Sequence, residues 1–159
     1  MTRFLLPALF FVAVAAAGAA TAPGSLEGRW LTQDTRAIVE VAPCGAQDCG
    51  TIVWIKDPID LKSGKPRHDK HNPVVSLQQR PIIGLLTLNK IVPNTQGSWN
   101  AVSYDPRDGE THEITIRIGA SGNKIELKGC VLGGLICDSE IWTRAPAAPI
   151  DPSQQQTAN

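Results

Sequence analysis

The chain lacks every short motif that announces a chemistry. It has no Gly-x-Ser-x-Gly elbow, no His-Glu-x-x-His pair and no phosphate-cradling glycine loop, so nucleophilic, zinc-peptidase and nucleotide chemistries have no local starting point. It has no run of Lys and Arg. With 15 basic residues against 15 acidic ones, it shows neither the electrostatic footprint of a nucleic-acid binder nor a polybasic membrane patch. None of its four cysteines lies in Cys-x-x-Cys spacing, which argues against a redox pair or a zinc knuckle. The longest apolar run, Phe4 to Val14, falls short of the roughly 20 residues that span a bilayer. Long helical periodicity is missing as well.

What is present begins with a leader. Arg3 supplies a positive start, Phe4 to Val14 an apolar stretch, and Ala15 to Ala22 small residues that suit cleavage. Cleavage after Ala20 is favoured, because a cut after Ala22 would leave Pro23 first. The expectation is a signal peptide over residues 1–20 and a periplasmic or secreted protein. No cysteine near the cleavage region offers a lipid anchor. Removal of the leader takes Arg3 and no acid, leaving a formal charge of −1. About 139 residues remain, enough for one domain with a sizeable core.

All four cysteines lie in that mature part, and an even count in an exported chain reads as two disulfides. Cys44 and Cys49 flank a short Gly-containing segment, as do Cys130 and Cys137. Each pair fits across a hairpin end, where opposed β-carbons come within bonding reach.

The rest of the chain reads as strands separated by turn residues. Strand signals cover Gly28 to Gln33, Arg36 to Val41, Gly50 to Lys56, Ile82 to Val92, Gly97 to Tyr104, Thr111 to Ile118, Lys124 to Gly129 and Glu140 to Arg144. Alternation places Val39, Val41, Ile114, Ile116, Ile118, Ile125 and Leu127 inward, with Ile38 facing the other way. Gly84 allows a bend or bulge. Gly28-x-Trp30 opens the series and Trp142-Thr-Arg144 closes it. In a closed barrel these ends meet, and the Arg144 guanidinium can lie over the Trp30 indole. Eight such strands predict an all-β, up-and-down antiparallel barrel.

Two segments stand apart. Residues 57–80 are too long for a hairpin, and a short helix near Val74 to Gln79 is expected to lie over a barrel mouth. Residues 146–159, rich in Ala, Pro and Gln, read as a disordered tail. The domain itself is expected over residues 27–145.

In order along the chain come Gly28-x-Trp30, Cys49-Gly-Thr-Ile-Val-Trp54, Asn72-Pro73, Arg80-Pro-Ile-Ile-Gly84, Tyr104-Asp-Pro-x-Asp-Gly109, Gly129-Cys130 and Trp142-Thr-Arg144. This set resembles the exported bacterial family known as domain of unknown function 2147. The resemblance implies a lipocalin-like, eight-stranded barrel and a setting outside the cytoplasm, without an activity. His112 departs from the pattern, since an aromatic is usual after the Asp-Gly turn.

A barrel of this size either fills with side chains or holds one small ligand. Trp54, Trp99, Tyr104 and His112, with Asn72 and Arg80 from the long loop, are the candidate ligand contacts. Gly28, Trp30 and Arg144 are assigned to barrel closure. His68, Asp69 and His71, with Asp57 and Asp60 upstream, have the chemistry of metal ligands. Lys62, Lys65, Arg67 and Lys70 in the same segment repel a cation, so it reads as a solvated loop without a metal. The acids of the Asp105 to Asp108 turn read as turn formers. Only Tyr104 with His112 merits mention as a catalytic pairing, and no catalytic residue is assigned. The function expected is non-covalent binding of a small apolar or amphipathic molecule. No cofactor, nucleic acid or stable membrane insertion is expected. The alternative is an envelope interaction module such as an inhibitor of an exported hydrolase, for which a barrel without a cavity would speak.

Overall fold

Eight antiparallel strands close into one barrel, each pairing with its neighbours in sequence and the first with the last. They are β1 (Gly28–Leu31), β2 (Ala37–Pro43), β3 (Asp48–Ile55), β4 (Leu86–Pro93), β5 (Trp99–Asp105), β6 (Glu110–Ile118), β7 (Lys124–Val131) and β8 (Ile136–Arg144). The structure, a computed structural model, describes residues 24–145. The expected leader over residues 1–20 and the tail over 146–159 lie outside the described residues. Among the described residues, no helix is long and apolar enough to cross a membrane.

Up-and-down connectivity sends alternate loops to opposite ends, and the two ends differ in how they are filled. One end is solid. Trp30, Leu88, Ile91, Ile116 and Ile125 are almost wholly buried there, joined by Leu26 from the approach to β1. Each aliphatic side chain so buried contributes about 1.5–3 kcal/mol. Gly50 permits this density, because a Cβ there would stand 2.9 Å from the Leu88 Cβ.

The barrel closes at this same end. Trp30 pairs with Arg144, and the guanidinium carbon lies 4.0 Å from the indole centroid. The Trp30 Nε1–H donates to the Leu26 carbonyl at 2.8 Å. Arg144 donates to the carbonyls of Ser25, Glu27 and Gly122. Gly28 has φ 118°, and a Cβ there would collide with Arg144 Nη1. Only glycine suits both demands.

Two disulfides join the cysteines in the pairs expected. Cys44–Cys49 caps the β2–β3 connection at the solid end, and Cys130–Cys137 staples the β7–β8 hairpin at the other. β7 and β8 run further towards each other than the sequence pattern suggests, so Cys130 faces Cys137 within the paired region. β4 in turn begins at Leu86, four residues later than expected. Gly84, at φ 89°, turns the chain and donates its N–H to the Ile52 carbonyl.

One irregularity sets which residues of β3 face inward and which outward. Val39 pairs with Ile52 but Ile38 pairs with Trp54, leaving Val53 as an extra residue on β3. A bulge of this kind flips the parity of everything beyond it. Ile55, opposite Ala37, therefore joins the interior. Trp54 shares the outer face with Ile38. Ile38 is itself buried without belonging to the core cluster.

Candidate functional site

Above the solid end the barrel is hollow. A cavity of about 780 Å³ opens at the end that carries the β1–β2, β3–β4, β5–β6 and β7–β8 connections. Its walls are apolar, from Val39, Ile52, Ile55, Ile114, Leu127 and Trp142. Thr87, Ser103 and Tyr104 add polar atoms. Asp138, Glu140 and Trp142 alternate along β8 and all face the cavity, as the two-residue period of a strand requires. The volume falls within the roughly 300–1,000 Å³ usual for small-molecule sites.

Arg107 bars part of the mouth. From the β5–β6 turn it pairs with Asp105 at 2.6 Å, then reaches Asp34 on the β1–β2 turn at 3.5 Å and Glu140 on β8 at 3.7 Å. β1 and β8 are not neighbours of β5 in the barrel, so one side chain ties separate parts of the rim. The hydrogen bond to Asp105 and the three surrounding carboxylates push the Arg107 pKa upward. Partial burial works against ionisation of Asp34. Bonds from the Thr32 hydroxyl and Arg36 amide, with the charges of Arg107 and Arg36, outweigh it and hold Asp34 below its ordinary value. The turn owes its shape to Asp105, which accepts the Arg107 N–H, and to Asp108, which accepts that of Glu110.

The β3–β4 loop frames the rest of the mouth, and it is not a solvated ribbon. Asp69 is 0% exposed. Its carboxylate accepts the Tyr104 hydroxyl at 2.7 Å, the Asn72 amide at 2.9 Å, and both Nε and Nη2 of Arg80 at 2.8 Å. Asn72 also donates to the Tyr104 hydroxyl at 2.9 Å and accepts the Val74 N–H. The Arg80 guanidinium lies 5.5 Å from the Tyr104 ring centroid. Burial, reinforced by the bond to Asp69, raises the Tyr104 pKa. A second anchor is Gly109, at φ 81°, over which the loop backbone at His71 passes so closely that a Cβ would collide with it.

The six candidate ligand contacts therefore separate. Tyr104 and His112 line the cavity; His112 Nε2 is 3.4 Å from Glu110. Asn72 and Arg80 lie outside the lining, in the Asp69 network. Trp99 packs against the core cluster, and Trp54 is on the outer face for the reason given above. Tyr104 bonds Asp69 and Asn72 instead of His112. The turn at Val75–Leu77 is a single 3-10 turn that contributes nothing to the cavity lining. Asp57, Asp60, Arg67, His68, Lys70 and His71 supply the rim instead. Asp69 is the clear correction, read from sequence as solvated and found at the centre of a buried network. Sequence reasoning also passed over Arg107, Asp138 and Glu140; extending the β8 alternation back from Trp142 would have found the last two.

An eight-stranded antiparallel barrel, solid at one end and open at the other over an apolar chamber, is a lipocalin-like architecture. The chain belongs to the family described as an uncharacterized protein conserved in bacteria, DUF2147, whose pattern matches residues 28–144. It is similar in fold to a solved structure described as "Protein HP1028 from the human pathogen Helicobacter pylori belongs to the lipocalin family". The two are 20% identical, with a TM-score of 0.63 over 78% of this chain and 85% of that one. A search of curated proteins found no match.

Proposed function

We propose that the protein binds a small apolar or amphipathic molecule, non-covalently, in the barrel chamber. The observation that carries this reading is the 780 Å³ cavity, apolar in its walls and charged at its mouth. An apolar tail gains by leaving water for the wall formed by Val39, Ile52, Ile114 and Leu127, at about 25 cal/mol per Å² buried. A polar head would stay at the rim, among groups that are hydrogen-bonded with or without it. We also propose that binding takes place outside the cytoplasm. The two disulfides are compatible with export. The alternative of an inhibitor-like interaction module drew on a filled barrel, and the chamber favours the ligand reading over it.

Native mass spectrometry of protein purified from its own envelope tests the proposal, together with titration of a fluorescent apolar probe such as N-phenyl-1-naphthylamine. Retained small molecules and saturable probe binding are expected. Ile114→Trp and Leu127→Trp, which fill the chamber, should abolish the probe signal while leaving a cooperative melt. Undiminished probe binding by both folded variants would sink the reading.

A further inference from the structure

The rim of the chamber exposes aliphatic side chains where a soluble protein ordinarily places polar ones. At the β7–β8 tip Leu132 is 70% exposed and Leu135 84%, with Val131 and Ile136 about half exposed beside them. Leu132, Gly133 and Gly134 are three consecutive left-handed residues, at φ 52°, 67° and 92°. That conformation is uncommon and unfavourable for leucine, and no buried contact repays it here. Cys130–Cys137 staples the base of the tip, so its apolar side chains are held out from the barrel.

A second tip projects from the same mouth. Leu61, at the tip of a small hairpin bridged by Ile59 and Pro66 early in the β3–β4 loop, is 94% exposed. Its turn is fixed by Asp60, whose carboxylate accepts the N–H groups of Lys62 and Ser63. Lys62 and Lys65 flank it, with Lys70 further along the loop, and none takes part in an ion pair among the described residues. Most rim acids are matched: Asp57 by Arg36, Asp60 by Arg67, and Asp34, Asp105 and Glu140 by Arg107. Arg107 is shared by three carboxylates, and Asp108 and Asp138 have no such partner, so the rim as a whole carries no positive surplus. The excess of positive charge is confined to the Leu61 tip, where Lys62, Lys65 and Arg67 stand against Asp60 alone.

We propose that the open mouth docks on the surface of a bilayer containing anionic lipids. Leu61, Leu132 and Leu135 would enter the headgroup–acyl boundary, while Lys62 and Lys65 meet phosphates. Scattered aliphatic tips around a ring suit a fluid apolar medium, which has no shape of its own to match. A protein partner is the poorer fit, because both tips lack the Trp, Tyr and Arg anchors that dominate protein interfaces. Lysine supplies the point charge that draws a segment to an anionic leaflet. This is peripheral contact to the depth of a few side chains, not insertion of the barrel. It would set the chamber mouth against the phase in which an amphipathic ligand resides.

Vesicle flotation tests it, using the purified protein with phosphatidylcholine vesicles and with phosphatidylcholine–phosphatidylglycerol mixtures. The protein should float with the mixed vesicles and several-fold less with phosphatidylcholine alone. Leu132→Ser combined with Leu135→Ser should reduce flotation about ten-fold or more, from the lost transfer of two leucines. Lys62→Gln with Lys65→Gln should reduce it several-fold and blunt its salt dependence. Val92→Ser, an exposed valine at the solid end, should leave flotation unchanged. Ile114→Trp should also float normally, so failure of docking and failure of ligand binding are separable. Absence of flotation by folded protein, or equal flotation of the leucine variants, would overturn the proposal. So would sedimentation analysis showing a dimer that the leucine variants abolish.

Discussion

Asp69 and Arg80 are joined twice over: the buried carboxylate oxygen Oδ2 accepts both Nε and Nη2 of the guanidinium at 2.8 Å. The same guanidinium lies against the Tyr104 ring. The loop thus returns to the barrel at a pre-set place, and the backbone repeats the link where the Asp69 N–H donates to the Arg80 carbonyl. What in sequence resembles a ligand rim is in the fold the strut that holds the rim.

Asp69→Ala removes the acceptor of four donors at once and leaves the half-buried Arg80 charge without its partner. The expected loss is about 3 kcal/mol, within the range for breaking a buried, charge-assisted network. For a domain of this size that lowers Tm by roughly 10 °C. Limited trypsinolysis should then cut first at Lys62 and Arg67, on the loop that the network holds. An unchanged Tm would contradict the arrangement.

Tyr104→Phe tests the same network through pH. Burial raises the Tyr104 pKa, and the bond to Asp69 adds to it. A raised pKa means that the neutral phenol is favoured in the fold. Its contribution is complete below the ordinary tyrosine value of 10.0, and is lost as pH rises through the higher folded value. Melts from pH 8 to 11 should show wild type losing stability above about pH 10 more steeply than Tyr104→Phe. Parallel profiles would exclude the tyrosine as the cause.

The fold was legible because its signals are local. Alternation in β6, Asp-Gly at the β5–β6 turn and the bracketing Trp30 and Arg144 each depend on neighbours in the chain or on the closure they imply. The site was legible only in part. The extra residue at Val53 arises from how β2 pairs with β3, and a single strand carries no sign of its register against another. Asp69 is satisfied by Tyr104, 35 residues away, and nothing around Asp69 distinguishes it from the exposed Lys70 and His71 beside it. Arg107 lies in a turn whose local chemistry explains it completely; its reach to Asp34 and Glu140 exists only once the barrel has closed.

The bulge at Val53 makes a prediction about two adjacent residues. Trp54→Ala should leave probe affinity within about two-fold of wild type, because the indole is on the outer face and surface changes are usually small. Ile55→Trp places an indole in the chamber and should weaken the probe at least ten-fold, as overfilling a cavity costs about 1–3 kcal/mol. Reversal of that order, with Trp54 decisive and Ile55 silent, would restore simple alternation through β3.

Arg107 makes the last prediction, which concerns rate more than affinity. The bar to Asp34 and Glu140 is solvent-exposed, so its worth is about 0–1 kcal/mol, too little to seal the chamber yet enough to slow passage. Arg107→Ala should raise the probe association rate several-fold and leave Tm nearly unchanged, and moderate salt should speed wild type towards the variant. Acid gives an independent handle. Asp34 is held below its ordinary value of 3.8, so its share of the bar is complete above that pH and is lost only as pH falls through the lower folded value. Stopped-flow association should therefore be flat from neutral pH to about pH 4 as far as Asp34 is concerned, then accelerate in wild type and not in Arg107→Ala. A variant that binds no faster than wild type under every condition would show that ligands pass beside the arginine without disturbing it.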